Sequence, residues 1–416
     1  MTRIQNLFLG SVVVVALSAQ LMGATGQVGT CLSNVTKLGS SIQNAVNALP
    51  PNSTLFVCPG TYQEQVIVTQ PITIDGVKDP NSTADAAVIA APSAGMVANT
   101  TSLSSGNPIA AQLVLENSTG DANINNLTVD ATNNQISGCA PELIGIYYRN
   151  ASGKVNYVNA LNQALSPSLN GCQSGLGIFV QSGSSGTSNV TVKHSYVANY
   201  QKNGITGDEV GTNLTVTSNT VFGQGPTTGA AENGIQLGFG ATGSVTLNKV
   251  MDNVYSPGTA GASGILIFDS ANITVNSNTV GNSQLGIALA SGSPGGADGG
   301  VVTSNNVSAT HLFDGIDLCS NSNTVKQNVI VGSDESAIHL DISCSGMSYS
   351  TGNNNTVANN VINDSCVGIL EDSGTSGNTV GSSVFHSVTN TVASSCTMPP
   401  GRRGKKQTLA VKPVRP

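Results

Sequence analysis

A Gly-Ile pair, once as Ala-Ile, recurs along this chain at 145, 177, 204, 234, 264, 286, 315, 337 and 368. Successive copies begin 22 to 32 residues apart. Such a period with variable insertions marks a solenoid, in which each repeat buries its apolar face only by stacking on its neighbours. A second β-branched run follows most pairs, at 189–192, 213–216, 245–247, 272–275, 323–325, 355–357 and 378–380. A third comes a few residues later, as at Val329-Ile330 and Val361-Ile362. Three short strands per turn make three parallel sheets. The composition agrees: 48 Gly, no Trp and 9% charged residues suit strands and tight turns rather than helices.

The repeat predicts which side chains face inward. Strand side chains alternate, and stacked strands lie ~4.8 Å apart. The residues one past the Gly are Ile146, Ile178, Ile205, Ile235, Ile265, Ile287, Ile316, Ile338 and Ile369. Those three past it are Tyr148, Val180, Gly207, Leu237, Ile267, Leu289, Leu318, Leu340 and Glu371. Both columns should form apolar ladders, and Glu371 breaks the second. In the turn after the second strand stand Ser195, Asn219, Asn278, Asn305, Asn328, Asn360 and Ser383. Stacked amides there would bond along the axis and satisfy the turn backbone.

The ends differ from the body. Arg3, an apolar run over 7–19 and small residues at 24–26 have the layout of a secretory signal peptide, placed at 1–26. The run is shorter than the ~20 residues that a membrane span needs. Residues 31–57 hold a cap and the first strand. Ile42, Ala45, Val46 and Leu49 fall on one helical face before Pro50-Pro51 ends the helix. An amphipathic cap would cover the open end of a solenoid. Residues 58–396 form the repeat body. Residues 397–416 carry six basic residues and no apolar period, and are expected to be a disordered tail.

Eight Cys in an exported chain favour disulfides over metal sites, since no Cys-x-x-Cys pair occurs. The repeat places Cys139 near Cys172, and Cys31 and Cys58 are both close to the N-terminus. The pairing of Cys319, Cys344, Cys366 and Cys396 stays open. Without leader and tail, the body holds 8 basic and 22 acidic residues, a charge of −14. Such a body repels nucleic acid and anionic membranes.

The segment Thr54-Leu55-Phe56-Val57-Cys58-Pro59-Gly60-Thr61-Tyr62, followed by Pro71-Ile72-Thr73-Ile74-Asp75-Gly76, resembles the opening of the pectin-lyase-like superfamily. With the repeats, the resemblance spans roughly 40–392 and extends to carbohydrate-binding and sugar-hydrolase β-helix repeats. It implies an all-β, single-stranded right-handed parallel β-helix with an N-terminal capping helix. It also implies a partner that is a polysaccharide or glycan surface, met by a monomer that is secreted, periplasmic or on the cell surface.

Two outward columns remain on the first sheet. One runs Tyr147, Phe179, Thr206, Gln236, Leu266, Ala288, Asp317, His339, Leu370; the other includes Arg149, Cys319, Asp341 and Asp372. Asp317, His339, Asp341 and Asp372 are the candidate catalytic residues. Glycoside hydrolysis needs two carboxyls about 5–9.5 Å apart, and close carboxylates raise one another's pKa. This is similar to polygalacturonase-type hydrolases, but their Asn-Thr-Asp, Gly-His-Gly and Arg-Ile-Lys motifs are absent. A hydrolase or epimerase fits better than a lyase, whose basic Arg has only Arg149 as a counterpart, several rungs away. No cofactor is required. Asp317, Asp341, Asp372 and Glu371 could instead hold Ca²⁺. Tyr147, Arg149 and Phe179 form a candidate sugar-binding platform. The alternative is a non-catalytic structural or adhesive solenoid.

Overall fold

A computed structural model describes residues 23–78, 87–183, 185–342, 344, 349 and 351–393. Residues 1–22 of the expected leader, the basic tail and Cys396 lie outside the described residues. Thr25–Val28, which overlaps the end of the expected leader, is a strand of the solenoid, paired with Ser53–Val57.

Among the described residues, the strands form three sheets of 14, 12 and 13 strands. All named pairings are parallel except that of Thr100–Thr101 with Pro108–Glu116. The chain visits the three sheets in turn, so each rung stacks on the next. The sheet built on the Gly-Ile strands is called the first sheet below. Both inward columns pair in the expected register, from Ile146↔Ile178 to Ile338↔Ile369 and from Tyr148↔Val180 to Leu340↔Glu371. All nine Ile of the first column are fully buried. At Gly207 the missing side chain is replaced by Leu214, whose Cδ2 would lie 2.7 Å from an added Cβ. At the other end, the Glu371 carboxylate accepts from Asn378 Nδ2 at 3.0 Å and is not forced into the core.

The repeated Gly has a steric cause. A Cβ at Gly204 would lie 2.5 Å from the Gly234 carbonyl and 2.7 Å from Val221 Cγ1. The same squeeze recurs at Gly234 and Gly286, so the corner where these rungs turn into the first sheet admits no side chain.

The Asn ladder forms and is longer than the sequence column. Each member accepts from the backbone N–H of the one before, from Ser195 through Asn219, Asn248, Asn278, Asn305, Asn328 and Asn360 to Ser383. Asn248 fills a rung that the column had skipped. Each turn is opened by a residue of positive φ, including His194, Ser218, Leu247, Ser277, Ser304, Gln327 and Asn359. The turn bends the chain between sheets, and the ladder satisfies the amide that the bend leaves free.

The cap is the helix Ile42–Ala48. Ser41 accepts from Asn44 N, while the Glu64 carboxylate takes the amides of Ile42 and Gln43 at 2.7 and 3.1 Å. These are the orphan donors of a helix start. Gln43 also bonds both backbone groups of Ile67, on the edge strand of the first sheet, at 2.6 and 3.0 Å. A side-chain amide thus blunts an open sheet edge. Disulfides join Cys31 to Cys58 and Cys139 to Cys172, as expected, and Cys319 to Cys344. Cys366 is also disulfide-bonded.

One expectation fails. The outward column of the first sheet is not a solvent face. Tyr147, Phe179, Thr206, Gln236 and Leu266 are fully buried, and Ala288, Asp317, His339 and Leu370 nearly so. An outward face this rich in Tyr, Phe and Leu would expose a large apolar strip, so insertions between rungs cover it. Tyr147 and Phe179 do stack, with centroids 5.0 Å apart and planes 9° apart. Their stack is packed among Ile109, Val114, Ile144 and Leu176 and offers no face to a sugar ring. The Tyr147 hydroxyl donates to Gln181 at 2.6 Å, and Gln181 accepts from Leu103 N at 2.9 Å, which ties down the covering segment. Arg149 pairs with Glu116 at 3.5 Å and donates to the Thr101 carbonyl. The platform is therefore a structural stack with a bridging Arg.

Candidate functional site

The four candidate catalytic residues do converge, on three consecutive rungs of the first sheet. Ile316–Cys319, Ser336–Leu340 and Val367–Glu371 stack in parallel, with Asp317 directly beside His339. Asp341 and Asp372 leave the ends of the second and third strands, and their amides bond to Leu318 O and Leu340 O. Ligating atoms of His339, Asp341 and Asp372 lie within 4.8 Å of one another, as do those of Asp314, Asp317 and His339.

The periodic pattern did not reveal Asp314. It sits one residue before Gly315, outside both outward columns. Its carboxylate takes the amide and hydroxyl of Ser336 on one oxygen and His339 Nδ1 at 3.1 Å on the other. This fixes the ring and leaves Nε2 pointing at Asp372 Oδ1, 3.4 Å away, without the alignment of a hydrogen bond. Asp341 in turn bonds the Asp372 carboxyl.

The other flank is apolar and sulfur-lined. Phe313, Leu266, Phe268, Ala288 and the disulfide Cys319–Cys344 form a small cluster beside Asp317. Asp317 Oδ1 lies 3.3 Å from Cys319 Sγ, and Asp341 Oδ2 lies 3.6 Å from the same atom. A disulfide sulfur carries no proton, so these contacts bring the carboxyls no donor. The disulfide ties residue 344 over Asp317, which is 1% exposed. Only Asp372 reaches the surface, with its side chain 25% exposed.

The environments push the groups apart. Burial, then Asp341 and Asp314, hold the Asp317 carboxyl well above its ordinary range. Burial alone would lower the His339 imidazolium, but Asp314, Asp372 and Asp317 outweigh it and hold it well above its ordinary value. The close His339 imidazole, against partial burial, holds Asp372 below the usual carboxylate range. Two carboxyls pushed in opposite directions, on either side of a rung that carries an imidazole, are the raw material of acid–base chemistry.

A shallow groove lined by Gln63, Pro92, Asp130, Asn133 and Gln135 lies near the N-terminal end, away from this cluster. Its one carboxylate, Asp130, is engaged by Thr132 and Asn162.

No curated protein matches the sequence. Residues 113–296 match the family model described as a right handed beta helix region. Among solved structures, the chain is similar to a lacto-N-biosidase from Eubacterium ramulus, with 12% identity, TM-score 0.58, and 88% of this chain and 68% of that one covered. It is similar to the A-module of a mannuronan C-5 epimerase from Azotobacter vinelandii, with 12% identity, TM-score 0.55, and 82% and 88% covered. It also resembles the Dettilon tailspike protein, with 12% identity, TM-score 0.53, and 84% and 64% covered. The chain has a right-handed parallel β-helix fold, built of three stacked parallel sheets.

Proposed function

We propose that this chain is an exported protein that binds and processes polysaccharide at the Asp317–His339–Asp341–Asp372 cluster. One observation carries the reading: three consecutive rungs, together with Asp314, gather four carboxyls and an imidazole at one place on the outer side of the first sheet. Packing gives no reason for it. Burying carboxyls costs several kcal/mol each, to order of magnitude, unless they are paired. The same columns are filled at other rungs by Leu266, Ala288 and Ala290. Such a concentration of perturbed groups is typical of functional sites. Three disulfides and a disulfide-bonded Cys366 fit an oxidising compartment, and the apolar run at 7–19 supplies the export signal.

Asp372 is the group that a sugar meets first, with His339 and Asp341 immediately behind it. The chemistry is hydrolysis or epimerisation rather than elimination, because Arg149 is committed to Glu116 far from the cluster. The second reading is a non-catalytic glycan-binding solenoid, favoured by the burial of Asp317.

The test is a screen of purified protein against neutral and acidic polysaccharides, with and without Ca²⁺. Product formation that is lost in Asp341→Asn and Asp372→Asn supports the reading. Binding without turnover, unchanged in both variants, moves the choice to the second.

A further inference from the structure

The arrangement around His339 is that of a ligand held for a cation. His339 is nine-tenths buried, and its Nε2 has no hydrogen-bond partner. Its Nδ1 is held by Asp314, which Ser336 fixes in turn. A carboxylate on one ring nitrogen is the usual support for a histidine that ligates a metal through the other. Nε2 points at Asp372 and lies close to Asp341.

The spacing is informative. A charge-assisted N–H···O bond closes to about 2.7–2.9 Å. Nε2 and Asp372 Oδ1 stand 3.4 Å apart and are misaligned. Two donors each about 2.1 Å from one tetrahedral ion stand about 3.4 Å apart. The pair is thus too long for a good hydrogen bond and well spaced for shared coordination.

We infer that His339 Nε2, Asp341 and Asp372 form a binding site for a divalent first-row transition-metal ion, with Asp314 as the residue that positions the imidazole. The mixed nitrogen–oxygen set suits Zn²⁺, Mn²⁺ or Co²⁺ and not Ca²⁺, which takes oxygen ligands alone. Partial exposure of Asp372 leaves room for outside ligands to complete the shell. Ligation needs a neutral Nε2, and the bond of Nδ1–H to Asp314 holds the ring in the tautomer that leaves it so. The site uses the residues of the proposed function but requires no turnover, and its test reads metal binding alone.

Chelator-treated, disulfide-intact protein is titrated with Co²⁺, with visible absorption and calorimetry. One Co²⁺ per chain is expected, with d–d bands in the visible. His339→Gln and Asp372→Asn should each weaken binding at least tenfold, and Asp314→Asn about 10- to 100-fold. Asp130→Asn, in the distant groove, should change nothing. Asp372 is partly exposed, so its variant decides the matter if the His339 variant misfolds. Absence of Co²⁺ binding, unchanged affinity in Asp372→Asn, or displacement of Co²⁺ by equimolar Ca²⁺ overturns the assignment. Polysaccharide turnover that survives when Co²⁺ binding fails would leave the proposed function standing and remove only the metal.

Discussion

Replacing Asn305 by Ala should destabilise the solenoid far more than the same change one residue later. Asn305 is 1% exposed, and its side chain makes four hydrogen bonds. Oδ1 accepts from Asn278 N and Nδ2, both at 2.9 Å. Nδ2 donates to Val275 O at 2.9 Å and to Asn328 Oδ1 at 3.0 Å. Truncation leaves the buried Asn278 amide without an acceptor, which costs about 1–3 kcal/mol. The Asn278 side chain keeps Val245 O, and Asn328 Oδ1 keeps Asn305 N. Those partners are only weakened, so the three other bonds add about 0.5–1.5 kcal/mol each. The total is about 2.5–7.5 kcal/mol. Asn306 is exposed in the adjacent strand, and its change to Ala should stay within about 0.5 kcal/mol. Urea unfolding followed by far-ultraviolet circular dichroism reads both midpoints and slopes. Stacked rungs depend on their neighbours, so a broken central step should also split or broaden the transition. A loss below about 1 kcal/mol for the Asn305 variant, or equal losses for both variants, would refute the view that the ladder is structural.

Three further outcomes follow from other side chains. Burial, outweighing a bond from Asn107, raises Glu142 to about 7, and its Oε2 has no partner. The folded chain therefore holds a proton that the unfolded chain releases, and stability is lost as pH rises from about 4.5 through 7. Glu142→Gln should remove up to about 3 kcal/mol of that loss at pH 8; melting profiles at pH 5 and pH 8 that match wild type would contradict this. Phe179→Ala should cost about 3–5 kcal/mol by opening a cavity against Tyr147. A variant that melts like wild type yet loses glycan binding would restore the exposed platform. Removing the disulfide across the 25-residue separation of Cys319 and Cys344 as a double Ser variant should cost about 3 kcal/mol. It should also speed hydrogen exchange at Leu318 and Asp341, and unchanged exchange there would deny the disulfide its hold over Asp317.

What the sequence revealed and what it hid divide along one physical line. The two inward ladders, the Asn turns and the cap helix follow from local alternation and turn chemistry. These repeat rung after rung, so nine Gly-Ile positions suffice to set the register of the first sheet. Alternation also says which residues point away from the core. It says nothing of whether that outer face meets water, because the covering comes from the irregular insertions between rungs. Alternation alone therefore suggests a platform at Tyr147 and Phe179, although Leu266 and Ala288 in the same column disfavour an open face. The acidic end of the column shows the same divide from the other side. Asp317, His339, Asp341 and Asp372 were found because they lie on the period. Asp314 was not, because it precedes the repeat by one residue and reaches His339 only through the fold. Yet Asp314 orients the imidazole, and without it the cluster would be three carboxyls around a freely turning ring. In a solenoid, then, periodic residues build the surface on which a site stands, and the residue that gives the site its direction can lie off the period. In this chain the non-periodic neighbours of each periodic charged residue, beginning with those flanking the repeated Gly, are where positioning groups should be sought.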